Sequence, residues 1–429
     1  MKHGTALMNP FVMILVFGFG IIAGIYINRY NSSKQTENLE LTISDYQRQR
    51  GLEWDKYEIE HNEIKNSMSD NKVLVGVYYY PWHSNGFHNG EGYLRSQLNP
   101  PQYPVLGEYD DTDPATIRKH LTWSLNAKIG LWVTSWWGPD RPTDSTTRNV
   151  IMNEMKGKFS HMRFALHYET KGRLKDSNPN PIEVVKSDMK YLCEHYFPAH
   201  NYYRINGRPV LVIYLTRVLE KRGTLEETVM NMRRTAAREC GEDLYIIGDH
   251  IFWKAPDLGD SFMRSFIYLD AATNYDVYGS MIHGREITYA GKEIVNEYYD
   301  EQKKWRQIAW EHGCRFVPAV SPGFNDRGVR LEKNHTALSR RLYARSPEGS
   351  LFRHGLRKAF TLLDPLVENL VLVNSFNEWH EDTQIEPVSH ATTTTDSPIE
   401  LTNGLTYNPY GMHYINILTQ EVGRLVWMS

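Results

Sequence analysis

From residue 72 onward the chain alternates between two hydrophobic periods. Short runs rich in β-branched and aromatic residues recur at Val73–Tyr80, Gly130–Ser135, Met162–His167, Pro209–Leu215, Asp243–Gly248, Phe266–Ala271, Arg315–Val320 and Leu370–Asn374. Runs of this length bounded by polar residues read as strands. Segments with apolar residues three and four apart lie between most of them. "DPATIRKHLTWSLNAK" (113–128) opens on Asp113 as a cap, with Pro114 at the first helical position, and puts Ile117, Leu121 and Leu125 on one face. "PIEVVKSDMKYLCEHY" (181–196) and "GKEIVNEYYDEQKKWRQIAWEHG" (291–313) repeat the pattern, the second ending on Gly313 as a C-cap residue. Alternating strands and helices predict an α/β domain, a (β/α)8 TIM barrel over residues 72–429. The competing topology is a doubly wound sheet. In its dinucleotide-binding form it needs a Gly-rich turn after the first strand, and "PWHSNGFHNG" holds none.

The pattern before residue 72 is different. Phe11 to Ile27 is an uncharged apolar run closed by Asn28 and Arg29. It is just long enough to cross a bilayer, so residues 1–30 read as a signal anchor and transmembrane helix. A cleaved signal peptide ending near Ala23-Gly24 is the rival; the run is long for that purpose and lacks an A-x-A ending. Residues 31–71 are polar and charged and read as a stem. The expected location is a single-pass membrane protein with its large domain on the lumenal, Golgi-like or extracytoplasmic side. Asn31-Ser-Ser and Asn334-His-Thr would be glycosylation acceptors there.

Composition narrows the function classes. Of 429 residues 41% are hydrophobic and 23% charged, and the net charge is −3. The summed charge offers no electrostatic case for nucleic acid or another acidic partner. Aromatic residues are abundant, with 27 Tyr, 15 Phe and 11 Trp. They supply core, and also the ring faces on which sugar C–H surfaces pack. Cys193, Cys240 and Cys314 have no metal-type spacing and allow at most one disulfide, which the sequence does not assign; Cys314 reads as a buried thiol. There is no H-E-x-x-H, C-x-x-C or G-x-S-x-G motif. No metal or other cofactor is expected, nor a serine nucleophile on a hydrolase elbow.

Barrel chemistry gathers at the C-terminal ends of strands, and there the chain places "YYYPWHSNG", "SWWGPD", "HYETKGR", "ATNYDVYG", "SPGFNDRGVR" and "SFNEWHED". Trp82, Trp136, Trp137 and Trp379 in such loops point to a cleft. The sharpest feature is Glu378 and Glu381, three residues apart behind the last strand. Two carboxyls with separated pKa values can serve as base and acid at a glycosidic bond.

On these residues the chain resembles glycoside hydrolase family 99, the endo-α-1,2-mannosidases of glycoprotein processing. "YPVLGEYDDTDPATIRKH", "IGLWVTSWWGP", "FVPAVSPGFNDRGVR" and above all "SFNEWHEDTQIEP" carry the resemblance, from about Val73 to Pro387. It implies a barrel that hydrolyses α-mannosides with retention. Glu378 would take the proton of the substrate's own 2-hydroxyl, which attacks C1 to give a 1,2-anhydro sugar. Glu381 would serve the leaving oxygen and then the water. It also implies substrate contacts by Tyr80, Trp136, Glu169, Tyr275, Arg330, Asn377 and Trp379. The chain departs from the family in three places. After the third strand the family's H-x-E-P-Y keeps only His167 and Glu169; the first-strand loop is "YYYPWHSNG"; Asp382 stands where Gly is common.

The expectation is therefore a monomeric, membrane-anchored retaining endo-α-mannosidase acting on glucosylated high-mannose N-glycans. Two alternatives stand beside it: a related barrel acting on a cell-surface or capsular polysaccharide, and a non-catalytic glycan-binding barrel. A mechanistic rival is double displacement, in which one carboxylate attacks C1 directly.

Overall fold

The computed structural model describes residues 73–427 apart from 91, 176–178, 257–260 and 395. The expected anchor and stem lie outside these residues. Among the described residues no helix is long and apolar enough to cross a membrane.

The strands are β1 (Leu74–Tyr79), β2 (Ile129–Trp136), β3 (Arg163–Tyr168), β4 (Arg204–Ile205), β5 (Arg208–Ile213), β6 (Tyr245–Asp249), β7 (Ala271–Thr273), β8 (Arg315–Phe316), β9 (Ala319–Val320) and β10 (Leu370–Val373). Apart from the antiparallel β4 beside β5, they form one parallel sheet in the order β8-β7-β6-β5-β3-β2-β1-β10-β9. β8 and β9 are two halves of one segment, residues 315–320, parted at Val317-Pro318. On one side Arg315 N donates to Asp270 O (2.8 Å) and Val317 N to Ala272 O (2.9 Å). On the other, Leu372 N donates to Pro318 O (3.0 Å) and Asn374 N to Val320 O (2.9 Å). The hydrogen-bonded path thus begins and ends on the same stretch of chain. The sheet curls as the predicted barrel requires, and all the parallel strands point their C-terminal ends to one face.

The helices that clothe it include α1 (Pro114–Asn126), α2 (Pro181–His195), α3 (Leu225–Cys240), α4 (Gly291–Glu311), α5 (Ser350–Ala359) and α6 (His413–Trp427). Asp113 caps α1, its Oδ1 accepting from Ala115 N at 2.8 Å. Every residue of β1, β2, β6 and β10 is buried, the signature of a parallel sheet covered on both faces.

The sixth predicted strand is displaced. Phe266 and its neighbours form a 3-10 helix, Ser261–Tyr268, and β7 starts only at Ala271. The reason is the spacing of the rings. Phe262 and Phe266, four apart, both pack edge-on or tilted against Trp305 of α4, which a helical turn allows; on a strand they would share a face but lie about 13 Å apart, too far to meet one ring. Cys314 is buried, as expected, and burial pushes its thiol pKa up. Cys193 of α2 and Cys240, the last residue of α3, are disulfide-bonded with Cα atoms 5.6 Å apart. Sequence spacing alone could not pair them, because their contact is made by two helices packing side by side.

This bond joins residues 47 apart in sequence. Chain-entropy reasoning gives it about 4 kcal/mol of stabilisation, at the upper end of the usual ~2–4 range. Replacing both cysteines by Ala is expected to lower the urea midpoint and to raise the m-value, because the freed unfolded chain exposes more surface. An unchanged midpoint would show that the bond contributes nothing to the fold.

Candidate active site

The loop leaving β10 is built to present carboxylates. Phe376 N donates to Tyr78 O (2.9 Å), carrying the pairing with β1 past the end of β10. The Asn377 side chain then clasps Tyr80 on both sides, its Oδ1 accepting from Tyr80 N (2.8 Å) and its Nδ2 donating to Tyr80 O (3.0 Å). Downstream, Ile385 N returns to Ser375 O (2.9 Å) and Glu386 N to Phe376 O (2.8 Å), closing the loop at its neck.

Inside the neck, Trp379–Glu381 form one 3-10 turn with Glu378 as its N-cap. Glu378 Oε1 accepts from His380 N at 3.0 Å and lies 3.2 Å from His380 Nδ1. Residues three apart eclipse on a 3-10 turn. The E-x-x-E spacing therefore returns Glu381 to the side occupied by Glu378, and both line one cavity. Trp379, between them, points the other way.

The cavity has a volume of about 580 Å³ at the C-terminal face of the sheet. Its aromatic wall comes from Tyr80, Trp82, Trp137, Tyr214 and Tyr275, and its polar wall from His167, Glu169, Arg330, Glu378, His380 and Glu381. Tyr80 and Tyr275 share a hydroxyl–hydroxyl hydrogen bond. Glu169 is buried, accepts from Ser135 Oγ (2.7 Å) and sits 3.3 Å from His167 Nδ1. Trp137 Nε1 donates to the same Ser135 hydroxyl (2.9 Å), which ties the ring to the carboxylate.

Glu381 has the most telling surroundings. Its Oε2 accepts from the Tyr278 hydroxyl (2.7 Å), and its Oε1 from Arg330 Nη1 (3.0 Å). Burial, reinforced by the charge of Glu378, pushes its pKa up to about 7 against the opposing pull of Arg330 and Tyr278. One carboxyl of the pair is thereby able to hold a proton near neutrality. Immediately after it, Asp382 ends the turn in the left-handed region (φ 50°), its side chain buried against Arg95 and Arg340. Burial pulls its pKa upward, but the two guanidiniums outweigh this and hold it below the usual carboxylate value.

Of the residues expected to touch substrate, Tyr80, Glu169, Tyr275 and Arg330 line the cavity. Three do not. Trp136 is fully buried, its Nε1 donating to Asp144 Oδ1 (2.9 Å); side chains alternate along β2, so its neighbour Trp137 turns to the cavity instead. Trp379 is fully buried, edge-on to Tyr93 (5.5 Å) with its Nε1 on Glu386 Oε2 (2.7 Å). Asn377 is spent on the Tyr80 backbone. Lining residues absent from the expected set include Tyr214, Lys171, Lys333 and His335. Tyr214 and Lys171 fall within three residues of the ends of β5 and β3, and that position was the signal available for finding them. Among the described residues no group of His, Cys, Asp or Glu is arranged to hold a metal ion.

Comparison with known proteins agrees with this geometry. Residues 71–422 match the sequence model described as Glycosyl hydrolase family 99. The glycoprotein endo-alpha-1,2-mannosidase-like protein of Mus musculus is 23% identical over 356 residues, covering 74% of this chain and 70% of that one. The glycoprotein endo-alpha-1,2-mannosidase of the same organism is 22% identical over 347 residues, covering 73% and 67%. The structure of the GH99 endo-alpha-mannosidase from Bacteroides thetaiotaomicron has the same fold, with a TM-score of 0.58 at 19% identity, over 83% of this chain and 98% of that one. With its family model spanning nearly the whole described region, this chain belongs to glycosyl hydrolase family 99.

Proposed function

We propose that the chain is a retaining endo-α-mannosidase that cleaves an internal α-1,2-mannosidic linkage through a 1,2-anhydro sugar. Glucosylated high-mannose N-glycans are the first substrate to test. The observation that carries this reading is the pairing of Glu378 with a Glu381 whose pKa is pushed up to about 7 in one cavity. The relatives' printed activities point the same way.

In the first step Glu378 takes the proton from the 2-hydroxyl, O2 bonds to C1, the C1–O bond to the leaving sugar breaks, and Glu381 gives its proton to that oxygen. Mannose suits this route because its axial O2 can approach C1 from the face opposite an α leaving group. In the second step Glu381 takes a proton from water, the new hydroxyl bonds to C1, the C1–O2 bond opens, and Glu378 returns its proton to O2. Two inversions give retention, and both carboxyls end as they began. Arg330 and Tyr278 stabilise Glu381 after it has given up its proton, which is when charge develops there.

We also propose that Phe11–Ile27 anchors the enzyme with its catalytic domain outside the cytoplasm. The Cys193–Cys240 bond favours an oxidising compartment.

The pair is tested with the full chain on α-1,2-linked mannosides. Glu381→Gln is expected to lower kcat about 10²–10⁴-fold, the range for loss of a general acid–base. No product from any α-mannoside with the unaltered chain would overturn the substrate assignment. Substrates with fluorine or hydrogen in place of the 2-hydroxyl are expected to be inert; their turnover at a normal rate would exclude the anhydro route.

The pH profile follows from the same geometry. Glu381 must carry its proton to act first as an acid, so kcat/KM, which follows the free enzyme, is expected to fall as pH rises through about 7. The Tyr278 hydroxyl lowers that pKa. In Tyr278→Phe the alkaline limb should therefore move to higher pH, and a limb that stays in place would remove Glu381 from the titration.

A further inference from the structure

A second cavity, of about 680 Å³, is lined by residues that follow β5 and β6. Phe252, Phe262 and Trp305 line its apolar side, and Arg217, Lys221 and Lys254 its cationic side. Arg217 and Lys221 belong to the turn that leaves β5, and Lys254 lies just past β6. Because the strands are parallel, this cavity shares the C-terminal face with the catalytic one.

A single buried carboxylate joins the two. Asp249, the last residue of β6, accepts from Arg217 Nη1 with both oxygens (2.7 Å each). The same oxygens take the backbone N–H of Tyr275 (3.0 Å) and of Leu215 (3.0 Å). Tyr275, and Tyr214 beside Leu215, are wall residues of the catalytic cavity. The partition between the cavities is thus built around one side chain.

Asp249 accounts for the charge of Arg217, but not for the lysines. Lys221 and Lys254 in the second cavity, and Lys171 and Lys333 in the catalytic one, make no direct ion pair among the described residues, though Lys254 acts through space on Glu301 and Lys171 on Asp276. Glu220 is the acid lining the second cavity, its pKa raised by burial and by Glu226. The lining of the second cavity thus sets three cations against one acid, whereas in the catalytic cavity Lys171, Arg330 and Lys333 face Glu169, Glu378 and Glu381. Clustered like charges beside low-dielectric walls focus the field and attract ligands of opposite sign.

We propose that the second cavity is a binding site for an acidic sugar, and that the substrate is an α-mannoside-containing glycan bearing phosphate, sulfate or carboxylate groups that runs from the catalytic cavity across the Asp249 partition. The proposal rests on the reading of Glu378 and Glu381 as a glycan-cleaving pair and specifies the class of glycan. Aromatic faces hold the sugar ring, and the lysines hold its acidic substituent.

Binding to the full chain carrying Glu381→Gln tests it without reading hydrolysis, so it stays separate from the test of the catalytic pair. The probes are mannan fragments of matched length: neutral, phosphorylated, sulfated, and carrying a uronate. At low salt at least one acidic fragment is expected to bind about tenfold or more tighter than the neutral one, with the difference shrinking as salt is raised. Which fragment gains identifies the acidic group. Adding Lys221→Ala and Lys254→Ala should abolish that gain. Lys156→Ala with Lys158→Ala, at the opposite end of the sheet before β3, should leave it intact. Equal binding of all fragments would overturn the proposal, as would equal losses in the two lysine pairs. Thermal unfolding of each variant separates loss of the site from loss of fold.

Discussion

Asp382 is a carboxylate buried between two buried guanidiniums. Arg95 Nε donates to it at 2.5 Å, and Arg340 reaches its side chain (Nε, 3.2 Å) and its backbone carbonyl (Nη2, 2.7 Å). Two cations against one anion leave an excess positive charge. The rings of Tyr407, Tyr410 and Tyr414 lie about it, with guanidinium-to-centroid distances of 4.9–5.3 Å. Such a cluster is weak evidence for stability as a whole, since desolvation costs much of what attraction gains. Removing one member is another matter, because a buried charge loses its partner, at a cost of about 3–5 kcal/mol. The cluster therefore fixes one conformation rather than adding general strength, and what it fixes is the residue after Glu381. Gly is common here in the family because a left-handed backbone costs it nothing. Aspartate tolerates that region better than most residues, and here its side chain also gains two charged partners.

With Asp382 held, the geometry of the acid pair follows from short-range rules. The neck of the loop is closed by backbone hydrogen bonds, Glu378 caps its own turn, and the 3-10 turn brings Glu381 back beside it. The remaining freedom lies in the side chain of Glu381, and Tyr278 and Arg330 remove it. These two come from the loops after β7 and β9, so the pair is complete only once the sheet has curled far enough to bring those loops together. The curl is closed by residues 315–320, which pair on one edge with β7 and on the other with β10. Long-range topology and the protonation state of one carboxyl are in this way the same problem.

That division explains which features could be read from the sequence. Hydrophobic period marked the strand segments well, since a strand buried on both faces has little freedom in composition. It misplaced one, at Phe266, where the composition suits a strand but two rings four apart reach the same Trp305 only on the shorter rise of a helical turn. Glu378 and Glu381 were legible because their relation is local. Trp136, Trp379 and Asn377 were not, because motif membership says nothing about which way a side chain points. In each case the decisive contact is with a residue distant in sequence or on another face: Asp144 behind β2, Glu386 beyond the loop neck, and the backbone of Tyr80. The Cys193–Cys240 bond was hidden for the same reason, being set by the packing of α2 on α3.

Net charge speaks to a different length scale. A sum of −3 over 429 residues describes long-range repulsion and solubility, which depend on the whole surface. A ligand at one face responds to charges within about a Debye length, ~8–10 Å at ordinary ionic strength. Parallel strands give a barrel two chemically unlike ends, so residues scattered over more than 160 positions of sequence, from Lys171 to Lys333, are delivered to one of them. There they face a carboxyl, Glu381, that is protonated for part of the time near neutral pH. Charge is consequently distributed locally, with more cations than acids lining the second cavity, and it is this local balance that a glycan reaching it would meet.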